Sequence, residues 1–378
     1  MSLAIAHEWM EGFGGAESTF IEMAAAFPEA DLYALSVSDF YRQQFGMRGI
    51  TSTFLDSGIF RERRSMTLPL MPLAWRLAHK SRTYDTIVTS THAFAREFGR
   101  RGAHRHLSYV HAPCRYLWTP EIDGRGSSRL LGLPREILKR VDASSVASVH
   151  SFAVNSREVA ERVQKFYGRS SVVIHPPVDV DFFGSATQPV KSVEGALLSV
   201  GRLIPYKRHD VVIHLAQHFG CKAVIAGAGP EENALRHLAS RLPQGQIVFE
   251  ISPSKERVRD LMGSSRALVF APHEDFGIVP VEAQAAGLPV VALGKGGALE
   301  TVVADVTGAF AAGDSWRDFA EAFERCPDRT PVAESDCRSN ADRFSVGVFR
   351  RSFAAWVNSG GESGLPGSAN RRNQHGII

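Results

Sequence analysis

Short apolar runs rich in β-branched residues recur along the chain, separated by longer stretches with helical periodicity. Residues 3–7, 32–37, 86–90, 106–109, 148–155 and 172–174 read as buried strands, with helical stretches such as 16–27 and 156–167 between them. The pattern restarts in the second half. Strands are expected at 196–200, 223–226, 247–249, 267–270 and 290–292, and helices at 210–218, 231–241, 255–263 and 281–287. Alternating β and α predicts a mostly parallel sheet covered on both faces, here twice over. The fold class is therefore α/β, with two Rossmann-like, doubly wound domains facing a central cleft. A Gly/Ser/Thr/Pro-rich stretch with little to bury puts the boundary within 183–194, dividing the chain into 1–185 and 186–344. A last amphipathic helix, 345–357, carries Phe349, Phe353 and Trp356 at helical spacing, and the polar segment 358–378 is expected to be disordered. Ligands of such folds bind beyond the carboxyl ends of the strands, so the cleft is the place to look for chemistry.

Composition narrows the class. The chain has 378 residues, 44% apolar and 22% charged, the balance of a globular protein and not of a disordered, collagenous or disulfide-stapled one. No run of 18 apolar residues appears, so no membrane span is expected. Residues 1–10 include His7 and Glu8 and lack a basic lead, unlike a secretory signal. Cys114, Cys221, Cys326 and Cys337 lie far apart, as expected of reduced thiols in the cytoplasm. The net charge of +3 is unevenly spread: residues 60–106 hold ten Lys/Arg against three acids. Arginines there stand beside Leu68, Leu70, Met71, Leu73 and Trp75. Three readings stay open: peripheral contact with an anionic membrane, docking of a pyrophosphate-linked lipid acceptor, or a packed helix with a solvated basic face. Nucleic acid is not expected, because no recognition motif accompanies the charge.

Three clusters carry the candidate chemistry. Gly12, Gly14 and Gly15 stand between the first strand and the first helix, suiting either a tight turn or a close backbone approach to phosphate. Their spacing is not the dinucleotide-binding Gly-x-Gly-x-x-Gly. Arg202 and Lys207 follow a strand and flank Pro205, so two fixed cations are positioned to neutralise a diphosphate without a metal ion. Residues 273–282, His-Glu-Asp-Phe-Gly-Ile-Val-Pro-Val-Glu, put Glu274 in a loop and Glu282 in the first turn of a helix. The amides of Phe276, Gly277 and Ile278 are expected to face the cleft. The Gly-Lys-Gly-Gly run at 294–297 is a candidate further anion site. Asp179 and Asp181 form an Asp-x-Asp, but far from these motifs. His104, His106, His111 and Cys114 have no zinc-site spacing. No metal is expected, and Cys114 reads as a packing residue.

Together these motifs resemble the retaining glycosyltransferases of family 4, over nearly the whole chain up to about Val357. The resemblance implies the GT-B fold, with the last helix crossing back to the N-terminal domain. It matches Glu274 and Glu282 to the family's Glu-x7-Glu, Arg202 and Lys207 to its phosphate-binding pair, and Gly14 and Gly15 to its N-terminal glycine loop. His111, in Tyr-Val-His-Ala-Pro-Cys-Arg-Tyr-Leu-Trp, matches the His that meets the donor sugar. The catalytic set so implied is Glu274, His111, Arg202 and Lys207. Gly14, Gly15, Phe276, Gly277, Ile278 and Glu282 join the two cations in binding the donor, and the base is expected near 249–254. The narrower pattern is similar to bacterial O-antigen and exopolysaccharide enzymes, many of them mannosyltransferases using GDP-mannose. It implies a nucleotide-sugar donor, a lipid-linked or saccharide acceptor, no cofactor, and a cytoplasmic enzyme at the inner face of the cell membrane. A UDP-sugar enzyme, a nucleotide-sugar epimerase and a non-catalytic nucleotide-sugar binder are the alternatives.

Overall fold

Seven strands form one parallel sheet: β1 (Leu3–Met10), β2 (Asp31–Val37), β3 (Thr51–Ser52), β4 (Tyr84–Thr91), β5 (Ala103–Val110), β6 (Ser151–Val154) and β7 (Val172–Val173). Their order is β3-β2-β1-β4-β5-β6-β7. Six more form a second parallel sheet in the order β10-β9-β8-β11-β12-β13. These are β8 (Leu197–Val200), β9 (Ala223–Gly227), β10 (Ile247–Ile251), β11 (Ala267–Phe270), β12 (Val290–Leu293) and β13 (Gly308–Ala311). The computed structural model describes residues 2–12, 14–62, 67–78, 82–100, 103–119, 132–185 and 190–362. Both sheets are covered on two faces by helices, which is why their central strands read as near-continuous apolar runs.

Each sheet reverses its winding direction once, at β1/β4 and at β8/β11. Strand order at these switch points opens a crevice beyond the carboxyl ends, and most candidate residues fall at one or one strand away from it. Gly14 and Gly15 follow β1, His111 follows β5, Arg202 follows β8 and Glu274 follows β11.

Three elements depart from the expected pattern. β3 and β13 were not foreseen: β3 has two residues at the sheet edge, and β13 (Gly-Ala-Phe-Ala) has little side chain to signal burial. The helix expected at 281–287 runs instead from Ile278 to Ala285, so Glu282 lies past its first turn. Of the expected boundary stretch 183–194, residues 186–189 lie outside the described residues. Val178 and Phe183 already pack in the core of the second sheet, while Ile174 packs in that of the first.

The chain returns beside its first crossing, where Val178 bridges Ser345. The helix Val346–Asn358 then packs on the first sheet, burying Phe349, Phe353 and Trp356 in its core. Phe353 meets Phe27 edge-on at 5.9 Å, and Arg350 bonds Glu22 at 2.5 Å. Each large apolar side chain so buried contributes about 1.5–3 kcal/mol, enough to tie the helix to the far domain. Beyond it Gly361 accepts a bond from Ser151 Oγ at 2.8 Å, whereas residues 363–378 of the expected disordered tail lie outside the described residues.

Candidate active site

On the second sheet the strand ends β8 and β9 meet so closely that only glycine fits. A Cβ on Gly227 would stand 1.8 Å from the Gly201 carbonyl oxygen, and one on Gly229 2.3 Å from that of Leu203. Leu203 donates to the Ala228 carbonyl at 2.8 Å, and His209 bridges Ser199 Oγ (2.8 Å) and the Arg202 carbonyl (3.1 Å). The loop bearing Arg202 and Lys207 is thereby fixed from both sides. Lys207 sits in the tight turn Pro205–Lys207, where its ammonium pairs with the Glu274 carboxylate. Burial, with Arg202 and Arg115 adding repulsion, lowers the Lys207 pKa to about 8. Two residues expected to act together are thus in contact.

Glu274 precedes Gly277, whose φ of 82° caps the helix Ile278–Ala285 in a conformation that glycine alone adopts without strain. The first amides of that helix have no intrahelical partners. Glu282, on the next turn, is pushed up to about 7 by burial, against the pull of Lys255. The expected anion site at 294–297 is not built. The amides of Gly294, Lys295 and Gly297 already donate to Ala311, Leu293 and Glu274, and the following helix, Ala298–Thr301, is a single turn. Gly296 and Gly297 serve instead to let this loop lie against Glu274 and Phe276: a Cβ on Gly297 would come 2.2 Å from the Phe276 Cα.

On the first sheet, the glycine turn runs into the helix Gly15–Ala26, and a Cβ on Gly15 would come 2.3 Å from Ile278 Cδ1 of the other domain. His111 is buried at the end of β5, and burial lowers its pKa to about 3, so the ring is neutral. Its Nε2 lies 2.8 Å from Ser90 Oγ, which in turn lies 3.0 Å from His7 Nδ1. His7 Nδ1 also approaches the Ser90 carbonyl at 3.2 Å, and a carbonyl only accepts, so that nitrogen carries the proton. The Ser90 hydroxyl then donates to His111 Nε2, leaving Nδ1 of His111 as its N–H. Sequence reading missed His7, Ser90 and Glu8. Buried polar residues inside the apolar run of β1 were the available signal. Glu8 accepts from Thr91 Oγ1 (2.8 Å) and from the amides of Ala93 (3.0 Å) and Ala95 (2.9 Å), fixing the loop after β4. Burial would raise Glu8, but His92, His7 and these donors outweigh it and hold its pKa below the ordinary carboxylate value.

The two domains are joined across the cleft by residues the sequence did not single out. Asp275 accepts from Arg115 at 2.5 Å and from Arg162 at 2.6 Å, and Glu300 accepts from the Arg157 amide at 2.7 Å.

Among the described residues, four cations of the basic stretch 60–106 are paired with carboxylates, two of which lie outside the stretch. Arg96 is fully buried against Asp142, Arg76 and Arg100 share Glu97, and Arg82 pairs with Asp31. The helix Met71–Ala78 packs Met71, Ala74 and Trp75 inward and leaves Leu73 and Leu77 partly exposed. Arg63, Arg64, Lys80 and Arg101 lie outside the described residues. Asp179 caps the helix Val180–Gly184 by accepting from the Phe182 amide and pairs with Lys255, and Cys114 is buried. Among the described residues no group of three His, Cys, Asp or Glu could hold a metal ion, and no helix is long and apolar enough to cross a membrane.

The geometry agrees with what the chain resembles. Residues 13–182 match the family described as Glycosyltransferase Family 4, and residues 185–341 match Glycosyl transferases group 1. The chain carries the two domains of a GT-B glycosyltransferase. A D-inositol 3-phosphate glycosyltransferase from Mycolicibacterium smegmatis is 31% identical over 212 residues, 51% of this chain and 49% of that protein. A protein of the same name from Mycobacterium sp. (strain JLS) is 33% identical over 177 residues, 42% and 40% respectively. The match thus spans about half or less of these curated relatives. Among solved structures, Anabaena HepE in complex with UDP superposes with a TM-score of 0.71 at 20% identity, covering 94% of this chain and all of HepE. WaaG, a glycosyltransferase involved in lipopolysaccharide biosynthesis, gives 0.67 at 16% identity, covering 94% and 99%.

Proposed function

We propose that the protein transfers a hexose from a nucleotide-sugar to an acceptor hydroxyl, with retention of anomeric configuration and without a metal ion. The observation that carries this reading is the pairing of Lys207 with Glu274 beside Arg202 at one switch point, with Gly15 of the other domain packed against Ile278. Departure of the nucleoside diphosphate leaves an oxocarbenium-like sugar, and fixed positive groups aimed at the leaving oxygens lower that barrier. On donor binding the Lys207–Glu274 pair separates. The ammonium turns to the diphosphate beside Arg202, and the carboxylate turns to the sugar hydroxyls. Glu282 takes the ribose. His111, a neutral imidazole, donates from Nδ1 to the sugar. No carboxylate is assigned as a nucleophile, so the acceptor attacks from the leaving-group face and a donor phosphate oxygen takes its proton.

The donor we propose is GDP-mannose, on the strength of the His-x-Pro-x-Arg-Tyr-x-Trp and Glu-Asp-Phe-Gly-Ile-Val-Pro-Val-Glu-Ala-Gln runs. The acceptor is a lipid-pyrophosphate-linked or saccharide intermediate of cell-surface polysaccharide. The partly exposed Leu73 and Leu77 beside Arg76 support peripheral contact with the inner face of the membrane. A uridine donor is the second reading, favoured by the HepE structures described with UDP and UDP-glucose. Acceptor-dependent nucleotide release tests the proposal: Lys207→Ala and Glu274→Ala should each slow it at least about a hundredfold, the scale of one lost electrostatic stabiliser. Release near the wild-type rate in either variant, or an altered free sugar formed without acceptor, would count against it.

A further inference from the structure

Asp275 sits between the sugar-directed Glu274 and the helix-capping Gly277, yet its own carboxylate faces the other domain. It is buried, 7% exposed, and holds guanidinium groups from two separate elements of the first domain. Arg115 opens the short helix Arg115–Trp118, four residues beyond His111. Arg162 lies on the helix Arg157–Tyr167. Arg162 is itself aimed by Glu158, one turn earlier at 2.7 Å, and Glu158 also approaches His273 at 3.3 Å. A buried carboxylate is costly unless it is paired, and each cation that pairs it here comes from across the cleft. Opening the domains therefore strips Asp275 of both partners at once.

Resting on the glycosyl-transfer reading above, we infer that Arg115, Arg162 and Asp275 form a charge-specific latch that sets the alignment of His111 against Glu274 when the two domains close. Asp275 is covalently next to Glu274, and Arg115 is in the loop that leaves His111, so the ion pair links the two sugar-facing groups through a handful of backbone bonds. The Asp275 carboxylate is engaged by the two guanidinium groups, which makes it a positioning residue. Its loss leaves the nucleotide-holding groups Arg202, Lys207 and Glu282 in place on their own domain.

The test combines kinetics with solution scattering on the full chain. Asp275→Asn keeps the shape and removes the charge; Arg115→Gln provides an independent variant should the first misfold, and Arg115→Lys the conservative one. The latch predicts that kcat falls on the order of tenfold to a hundredfold, the scale of a catalytic group displaced by about 1 Å. Affinity for the nucleoside diphosphate alone, measured by calorimetry with GDP and UDP, stays within about threefold, since a ligand held by one domain equally in the open and closed states does not sense the shift between them. The ligand-free radius of gyration increases as the cleft opens. Adding the two mutations together costs little more than either alone, because they break one interaction. Unchanged kcat and unchanged scattering overturn the latch. So does a loss of nucleotide affinity that matches the loss of turnover, which would make Arg115 a diphosphate ligand. Scattering and nucleotide binding read the latch even for a protein that transfers no sugar, so its failure is separable from failure of the proposed function.

Discussion

Burial shifts Lys207 and Glu282 toward neutrality from opposite sides, and that sets an expected pH profile. Burial pulls the Lys207 ammonium down to about 8 and pushes the Glu282 carboxyl up to about 7. In the proposed roles, Glu282 must lose its proton to accept both ribose hydroxyls, whereas Lys207 must keep its own to hold the diphosphate. The kcat/KM profile should therefore fall below pH about 7 and above pH about 8, since this ratio reports the free enzyme. In Lys207→Arg the alkaline limb should move upward, because a guanidinium stays charged. A flat profile from acid to alkaline pH in the wild type would refute both roles. Ser90→Ala tests the His7–Ser90–His111 chain. It should slow turnover roughly tenfold, the kinetic scale of one lost hydrogen bond, with donor KM little changed. The Glu/Lys/Arg motifs were legible in the sequence because their residue types are unusual at strand ends. Ser90 and Asp275 were not, because a serine or an aspartate carries no mark of the partner that folding will give it.

At the scale of elements, the strands were legible wherever both faces of a sheet are covered, as in β9, β11 and β12, because burial there leaves an uninterrupted apolar run. They were not legible at the edges, where the two residues of β3 and the small residues of β13 bury too little to leave a pattern. The glycines at 294–297 were visible, but their purpose was not. They look like an anion cradle and prove to be a platform on which the Glu274 loop rests. Gly297→Ala should accordingly cost about 1–3 kcal/mol of stability through overpacking and weaken donor binding, because Cβ meets backbone that cannot swing away. A thermal midpoint equal to wild type would show that the loop has more freedom than its packing implies. The basic helix Met71–Ala78 teaches a similar lesson. Counting charge along 60–106 overstated its surface potential, since folding pairs Arg76, Arg82, Arg96 and Arg100 with carboxylates, two of them from outside that stretch.

The whole molecule is two sheets whose switch points face each other, joined by paired crossings at Val178 and Ser345 and by the Asp275 and Glu300 contacts across the gap. Its two-domain plan was legible because the βα alternation restarts; the gap's own ion pairs depend on a domain orientation that no local pattern encodes. A thermal-shift comparison of GDP, UDP, ADP and dTDP addresses the donor: selective stabilisation by GDP is expected, and a UDP preference would transfer the proposal to the uridine reading. The central claim is that fixed cations, and not a divalent metal, hold the diphosphate as it leaves. Its most direct measurement is acceptor-dependent nucleotide release with excess chelator, for wild type and Lys207→Ala side by side. The account predicts that wild type keeps its rate in chelator while the variant falls at least about a hundredfold. Loss of wild-type turnover on chelation, restored by added divalent ion, would contradict it.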